Sequence, residues 1–355
     1  MVNPFKMFFP KKMLGIDIGV SSIKLVELSR FGDGKTLENY GQLESEFISP
    51  EPLINSKKGG NLLASDTIAH AIKGILEEAK IRTKPVIFSI PDFFTFCTSF
   101  EIPQMPQKEI EGAIKYNASQ YIPLPISEVT LDWKIVASPQ KGEKGLVKVF
   151  LVAVPNQVVE EYQKIAAMCG LEIYALEAEA LGMVKSLVKN NKKTICLMDI
   201  GVQSSTVNII DNGNLQRSYS FNFHSGQLAN AVSSALNVGQ HEAEEIKNKE
   251  GILSSRQGVA KALYLLVDSL LREIKLISSE FYQSEQKQVE EIYLTGGTAN
   301  LPGLKEYISE SLKKYVAVPN SFAGLLYPPI LEETLRQMSP GFSVAVGAAL
   351  GGLEN

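Results

Sequence analysis

A chain of 355 residues, 45% apolar and 21% charged, is long enough for two or three domains and a large buried core. Its net charge of −4 excludes the basic footprint of a nucleic-acid binder. Three cysteines (Cys97, Cys169, Cys196) without a CxxC pair exclude a disulfide framework and fit a reduced, cytosolic protein.

In chain order, residues 1–13 carry Lys6, Phe8, Phe9, Lys11 and Lys12 but no long apolar run, and so do not read as a signal peptide. The tetrapeptide DIGV follows at Asp17, Ile18, Gly19 and Val20, after a short apolar run and before the serines Ser21 and Ser22. A second β-type run leads to the turn Gly32, Asp33, Gly34, a strong hairpin signal. After a polar loop at 55–61, Ile68, Ile72, Ile75 and Ala79 mark a helix, and residues 86–90 a buried strand.

The rhythm changes over 93–172. Strands are expected at 93–102, 129–136 and 146–154, the last two separated by a charged turn at 141–144. One helix is expected over 107–121, with Ile110, Ile114, Asn117 and Tyr121 on its stripe. A second carries Val158, Tyr162, Ile165 and Cys169 and stops at Gly170. This α+β module reads as an insertion.

A short helix over 177–188 precedes a second copy of the opening unit, 194–223, with DIGV at Asp199, Ile200, Gly201 and Val202 and the turn Asp211, Asn212, Gly213. Helices at 225–236 and 259–282, a strand at 291–295, the pair Gly296 and Gly297, and a helix at 304–315 complete the repeat. The apolar run 342–353 is about half the roughly 20 residues a spanning helix needs and reads as a buried packing helix. The whole reads as a soluble protein.

A carboxylate at a strand end with glycine two residues on has a physical use. The glycine admits phosphate oxygens to backbone N–H donors. The carboxylate holds Mg²⁺, largely through waters. One Asp-x-Gly is a common turn; two in matching contexts suggest loops that grip one polyphosphate. Gly296 and Gly297, in LTGGTANLPGL, offer a flat surface for a base or diphosphate, although a plain β–α turn has the same spelling. Glu244 and Lys247, in HEAEEIKNKEG, suit a ribose and its phosphate, although alone they read as a solvated helix face. The P-loop, GxGxxG, SxxK and zinc patterns all fail on spacing or context.

DIGVSSIK, DIGVQSST, AEEIK and LTGGTANLPGL, in that order, resemble the actin-like ATPase superfamily. A compact module between the two loops is similar to its FtsA and PilM branch, and KLVELSR, QYIPLPISEVTLDW and CGLEIYALEAEALGMV resemble the PilM family. The resemblance implies an α/β fold of duplicated actin-like (ribonuclease H-like) domains with an inserted α+β subdomain. Its parts would be the first domain at 1–92 and 173–193, the insertion at 93–172, the second domain at 194–325, and a segment 326–355 returning to the first.

It also implies ATP and Mg²⁺. Asp17, Gly19, Ser21, Ser22 and Lys24 would form the first phosphate loop, and Asp199, Gly201, Ser205 and Thr206 the second. Asp17 and Asp199 would hold the metal. Glu177, on the connecting helix, and Asp199 would be catalytic, with slow or no hydrolysis. Glu244 and Lys247 would face the ribose, and Gly296, Gly297 and Thr298 the adenine.

The implied setting is the cytoplasmic side of a type IV pilus inner-membrane assembly platform. The implied partner is the short cytoplasmic N-terminal tail of a PilN-like protein, bound near residues 93–96, Tyr116, Tyr121 and Ile122. Other platform proteins and the assembly ATPase are further implied partners. The membrane association is peripheral, without direct insertion or nucleic-acid binding. An FtsA-like division filament and a catalytic kinase or ATPase of the same fold are the alternatives.

Overall fold

The computed structural model describes residues 11–48, 53–54, 62–137, 145–202 and 204–354. The expected loop at 55–61 and turn at 141–144 lie outside the described residues. The chain forms two compact units. The first comprises 1–186, 324–327 and 344–355, and the second 187–323 and 328–343.

The first unit starts with β1 (Lys11–Ile18), β2 (Ser22–Phe31) and β3 (Gly34–Glu44), then α1 (Ser65–Glu78) and β4 (Pro85–Ile90). The inserted elements are β5 (Phe96–Pro103), α2 (Gln107–Ala118), β6 (Val129–Ala137) and β7 (Leu146–Pro155). Next come α3 (Asn156–Cys169), β8 (Glu172–Ala178) and the short α4 (Glu179–Met183), which widens into a π turn at Val184–Val188. The main sheet has the order β3-β2-β1-β4-β8, with antiparallel pairs in the hairpins and parallel pairs β1/β4 and β4/β8. Each strand alternates, so Leu14, Ile16 and Ile18 join Ile68, Ile72, Phe88 and Ile90 in one core while Asp17 faces the other way.

The insertion is a three-stranded antiparallel sheet, β5-β7-β6, with α2 on one face. Its core is Phe100, Ile102, Ile110, Ile114, Val149 and Leu151. Helix α2 ends at Ala118, short of the expected 121, so the buried stripe runs Ile110, Ile114, Ala118 and Ile122. Tyr121 instead stacks on Phe100 at 5.5 Å and stays half exposed, and Asn117 Nδ2 donates to the Ala113 carbonyl. The helix expected to close the module, α3, belongs to the main sheet's core through Val158, Tyr162 and Ile165. At its end Gly170 takes φ 66°, and the Gly170 and Leu171 amides bond back to Ala167 and Ala166, turning the chain into β8.

The second unit repeats the plan. It contains β9 (Ile195–Ile200), β10 (Ser205–Asp211), β11 (Asn214–Phe221), α5 (Ser225–Leu236), α6 (Gln240–Glu250) and α7 (Gln257–Glu285). After these come β12 (Glu291–Thr295), α8 (Leu304–Leu312), β13 (Tyr315–Ala317) and α9 (Glu332–Leu353), whose residues from Val344 on count with the first unit. The sheet order β11-β10-β9-β12-β13 is that of the first unit, strand for strand. The hairpin turn places Asn212 and Gly213 at φ 50° and 76°, as a two-residue turn matched to strand twist requires.

The amphipathic α7 buries Val259, Leu263, Val267, Leu270, Ile274, Ile277 and Phe281 against this sheet. The helix expected to run to 315 stops at Leu312, because Lys313 turns left-handed and Tyr315 starts β13. In the first unit the end of α9 is the packing element its small residues suggested: a Cβ on Gly347 would sit 1.8 Å from the Gly182 carbonyl oxygen. No helix among the described residues is long and apolar enough to cross a membrane. Burial pushes the thiols of Cys97 and Cys196 up to about 12 and that of Cys169 to about 11, so none is primed as a nucleophile.

Candidate nucleotide site

The expected site residues fall into two sets, one in each unit. In the first, Asp17 is the penultimate residue of β1, opposite Lys24 of β2, and is 6% exposed. Ser89 Oγ donates to its Oδ1 at 2.9 Å. Burial pushes the Asp17 carboxyl up, against the opposing pull of Lys24 and of the Ser89 bond. The loop after it is closed by Gly19 N donating to the Ser22 carbonyl at 2.9 Å, and Ser45 N donates to the Ser21 carbonyl at 2.8 Å. Ser22 is buried at the start of β2.

Glu177 lies elsewhere than expected. It is on strand β8, paired in register with Ser89, rather than on a connecting helix. Its Oε1 is ion-paired with Lys185 of the π turn, and its buried Oε2 has no hydrogen-bond partner. Burial raises its pKa more than Lys185 lowers it. The helix itself opens at Glu179, which sequence reasoning missed. The Asp92 amide donates to Glu179 Oε2 at 3.3 Å, and the Ala180 amide to Asp92 Oδ1 at 3.4 Å, so the two carboxylates cap each other's turns.

In the second unit Asp199 is the penultimate residue of β9, opposite Thr206, the place Asp17 holds opposite Lys24. Gly201 N donates to the Ser204 carbonyl at 3.1 Å, repeating the closure of the first loop. Strand β12 runs parallel to β9 with Thr295 beside Asp199, so the turn after it lies against the carboxylate. That turn requires glycine: Gly296 has φ 83°, and a Cβ there would sit 2.2 Å from Asp199 Oδ1. Gly297 faces open space, while Thr298 is buried with its amide donating to the Ile200 carbonyl at 3.4 Å. Asp199, Gly201, Ser205, Gly296, Gly297 and Thr298 thus gather at the carboxyl ends of two adjacent strands, where α/β sheets place ligands.

Two buried hydroxyls here, Ser205 Oγ and Thr298 Oγ1, have no hydrogen-bond partner in the protein. Thr206 Oγ1 instead meets Ser220 Oγ at 3.4 Å across the strand pair. On α6, Glu244 points partly to solvent but Lys247 is 2% exposed. The Lys247 ammonium is ion-paired with Glu244 and donates to Ser225 Oγ at 2.5 Å. Ser225, also missed, starts α5, and its amide donates to the Gly201 carbonyl at 3.0 Å. A small residue before Gly226, at the head of a predicted helix, was the available signal.

The donor set fits a magnesium nucleotide. Among the described residues no cluster of three metal-ligating side chains forms a protein cage. Each loop presents one carboxylate, which suits an ion held chiefly by phosphates and waters. The open face at Gly297 and the orphaned hydroxyls suit a ligand with many acceptors.

The fold and the motifs agree with what the chain is similar to. A solved structure of a PilM–PilN type IV pilus biogenesis complex matches with a TM-score of 0.82 at 25% identity, covering 97% of this chain and 99% of that one. The cell division protein FtsA of Pseudomonas aeruginosa is 24% identical over 393 residues, 97% of this chain and 90% of FtsA. MreB5 of Spiroplasma citri bound to AMPPNP shares the fold at 12% identity, with a TM-score of 0.52 over 96% of this chain and 95% of that one. Two sheets of identical strand order, with an α+β insertion in the first, make this an actin-like fold. The family model for the type IV pilus assembly protein PilM matches residues 15–353, and the chain belongs to that family.

Proposed function

We propose that this protein is an ATP-binding, actin-like component of the type IV pilus inner-membrane assembly platform, and that it docks the cytoplasmic N-terminal tail of a PilN-like membrane protein. The observation that carries the nucleotide reading is the repeated loop, Asp17 with Gly19 N–Ser22 O and Asp199 with Gly201 N–Ser204 O. Loop amides and the Ser205 hydroxyl bind phosphate oxygens, and Gly296, Gly297 and Thr298 hold the adenine side. Asp17 and Asp199 are the carboxylates that would hold Mg²⁺, which would neutralise phosphate charge.

Turnover is slow or absent. A general base must take a proton, and the ion pair of Glu177 Oε1 with Lys185 opposes that. The protein works on the cytoplasmic face and reaches the membrane through its partner. Likeness to the PilM–PilN complex supports that partner. On the first unit, Phe93, Tyr116 and Tyr121 are 38%, 73% and 51% exposed, whereas Phe94 and Ile122 are core. Exposed aromatics of this kind are the anchors a peptide uses.

Calorimetric titration of a PilN-like N-terminal peptide, with and without MgATP, tests this reading. Saturable binding that MgATP alters, and that Tyr116→Ala or Tyr121→Ala weakens, is expected. No peptide binding in either condition would overturn the docking role.

A further inference from the structure

Lys247 lies on the inward stripe of α6 with Ala243 and Ile246, so its stem is buried as an apolar residue would be. Burying an ammonium is costly unless it is paired and hydrogen-bonded. Lys247 has a partner of each kind. Glu244 is the outward one, its side chain 46% exposed; Ser225 Oγ, at 2.5 Å, is the inward one. Ser225 begins the twelve-residue α5, and from that first turn the Ser225 amide holds the Gly201 carbonyl at 3.0 Å and the Gly226 amide holds that of Val202 at 3.4 Å. Gly201 N in turn closes the loop onto Ser204 O. The contacts therefore run without a gap from α6 through α5 to the second Asp-x-Gly loop.

We infer that Lys247 is a positioning residue for the second phosphate loop: through Ser225 it fixes the first turn of α5, and so the carbonyls of Gly201 and Val202. This rests on the ATP-binding reading above, and it reassigns Lys247 from the ribose to the loop. Glu244 remains the member of the pair open to a ligand. Among the described residues no buried lysine braces the first loop in this way; there Ser45 N donates to the Ser21 carbonyl at 2.8 Å.

The test uses the full chain with Lys247→Met, the milder Ser225→Ala and the double variant. In the nucleotide-free protein, amide exchange at 201–206 rises about tenfold in each single variant, the loss expected of a charge-assisted bond. The double variant exchanges no faster, and the amides at 19–22 keep their wild-type rates. In titrations, Lys247→Met weakens MgATP by about tenfold and adenosine by less than about twofold. Unchanged exchange at 201–206, or a rise spread over both loops, would overturn the inference. So would equal losses for adenosine and MgATP, which a ribose contact predicts. Wild-type protein that fails to bind MgATP would sink the ATP reading instead, and the exchange arm would still decide the brace.

Discussion

The two Asp-x-Gly loops are the same local structure held in different ways. Both have the aspartate at the end of a central strand, a glycine amide closing on a carbonyl three residues later, and a hairpin partner in matching register. In the first unit the neighbouring strand's hydroxyl, Ser89, holds the carboxylate itself. In the second the corresponding hydroxyl, Thr295 Oγ1, is turned to the Pro340 carbonyl at 3.0 Å and to Ser343 Oγ at 2.9 Å. There Asp199 is bounded by the bare backbone of Gly296. One aspartate takes a hydrogen bond from the neighbouring strand, and the other lies against the bare backbone of the turn that follows that strand. Duplication fixed the loop geometry; the braces diverged.

Gly296→Ala gives the largest effect on this contrast. A Cβ at 2.2 Å from Asp199 Oδ1, at φ 83°, forces the turn or the carboxylate to move. A destabilisation on the order of 3 kcal/mol is expected in thermal unfolding, with MgATP affinity down by about a hundredfold. Wild-type affinity would show that the turn tolerates the shift and that Asp199 is not bounded there.

Next come the loop glycines, compared directly. A Cβ on Gly201 would sit 2.7 Å from the Ser204 carbonyl oxygen, but one on Gly19 would sit 3.1 Å from that of Ser22. Gly201→Ala therefore costs about 1–3 kcal/mol and Gly19→Ala less. The reverse order in denaturant unfolding would contradict the tighter second loop.

Asp17→Asn has a smaller effect, and of opposite sign. Because burial raises the Asp17 pKa in the folded protein, the unfolded chain loses its proton first as pH rises through 3.8. The folded state then binds more protons, so stability falls with pH from there to the raised folded value. Asparagine keeps the acceptor for Ser89 and removes that loss. The nucleotide-free variant should melt higher than wild type at neutral pH and equally below pH 3.8; an equal or lower melting point at neutral pH would refute a carboxylate strained by burial.

The smallest effect concerns Tyr162, whose hydroxyl is fully buried in the first unit's core without a hydrogen-bond partner. Tyr162→Phe removes an orphaned polar group and should stabilise the protein by about 1 kcal/mol. Destabilisation in the same melting assay would mean that the hydroxyl has a partner in solution.

Much of this was legible in the chain. Period-two runs broken by Gly-Asp-Gly and Asp-Asn-Gly identify the two hairpins, and their repetition identifies the duplicated sheet. The order of the loops, AEEIK and the glycine pair identified the family. What was hidden depends on contacts between distant segments. EIYALEA is a short apolar run that reads as helix or strand, and only pairing with β4 makes it β8, moving Glu177 off a helix. The periodicity of α3 shows that it has an apolar face, not which sheet that face meets. Lys247 looked solvated because its helix is highly charged. Yet it stands four residues after Ala243 and one after Ile246, on the buried stripe, and that spacing was in view from the start.

The central claim of the proposal is that the repeated Asp-x-Gly loops bind nucleotide. Its most direct test is the affinity of a fluorescent ATP analogue, with Mg²⁺, for wild type, Asp17→Ala and Asp199→Ala. Each variant should bind about tenfold or more weakly than wild type. Wild-type affinity in either one would contradict the account, because the loop carrying that aspartate would then take no part in holding the ligand.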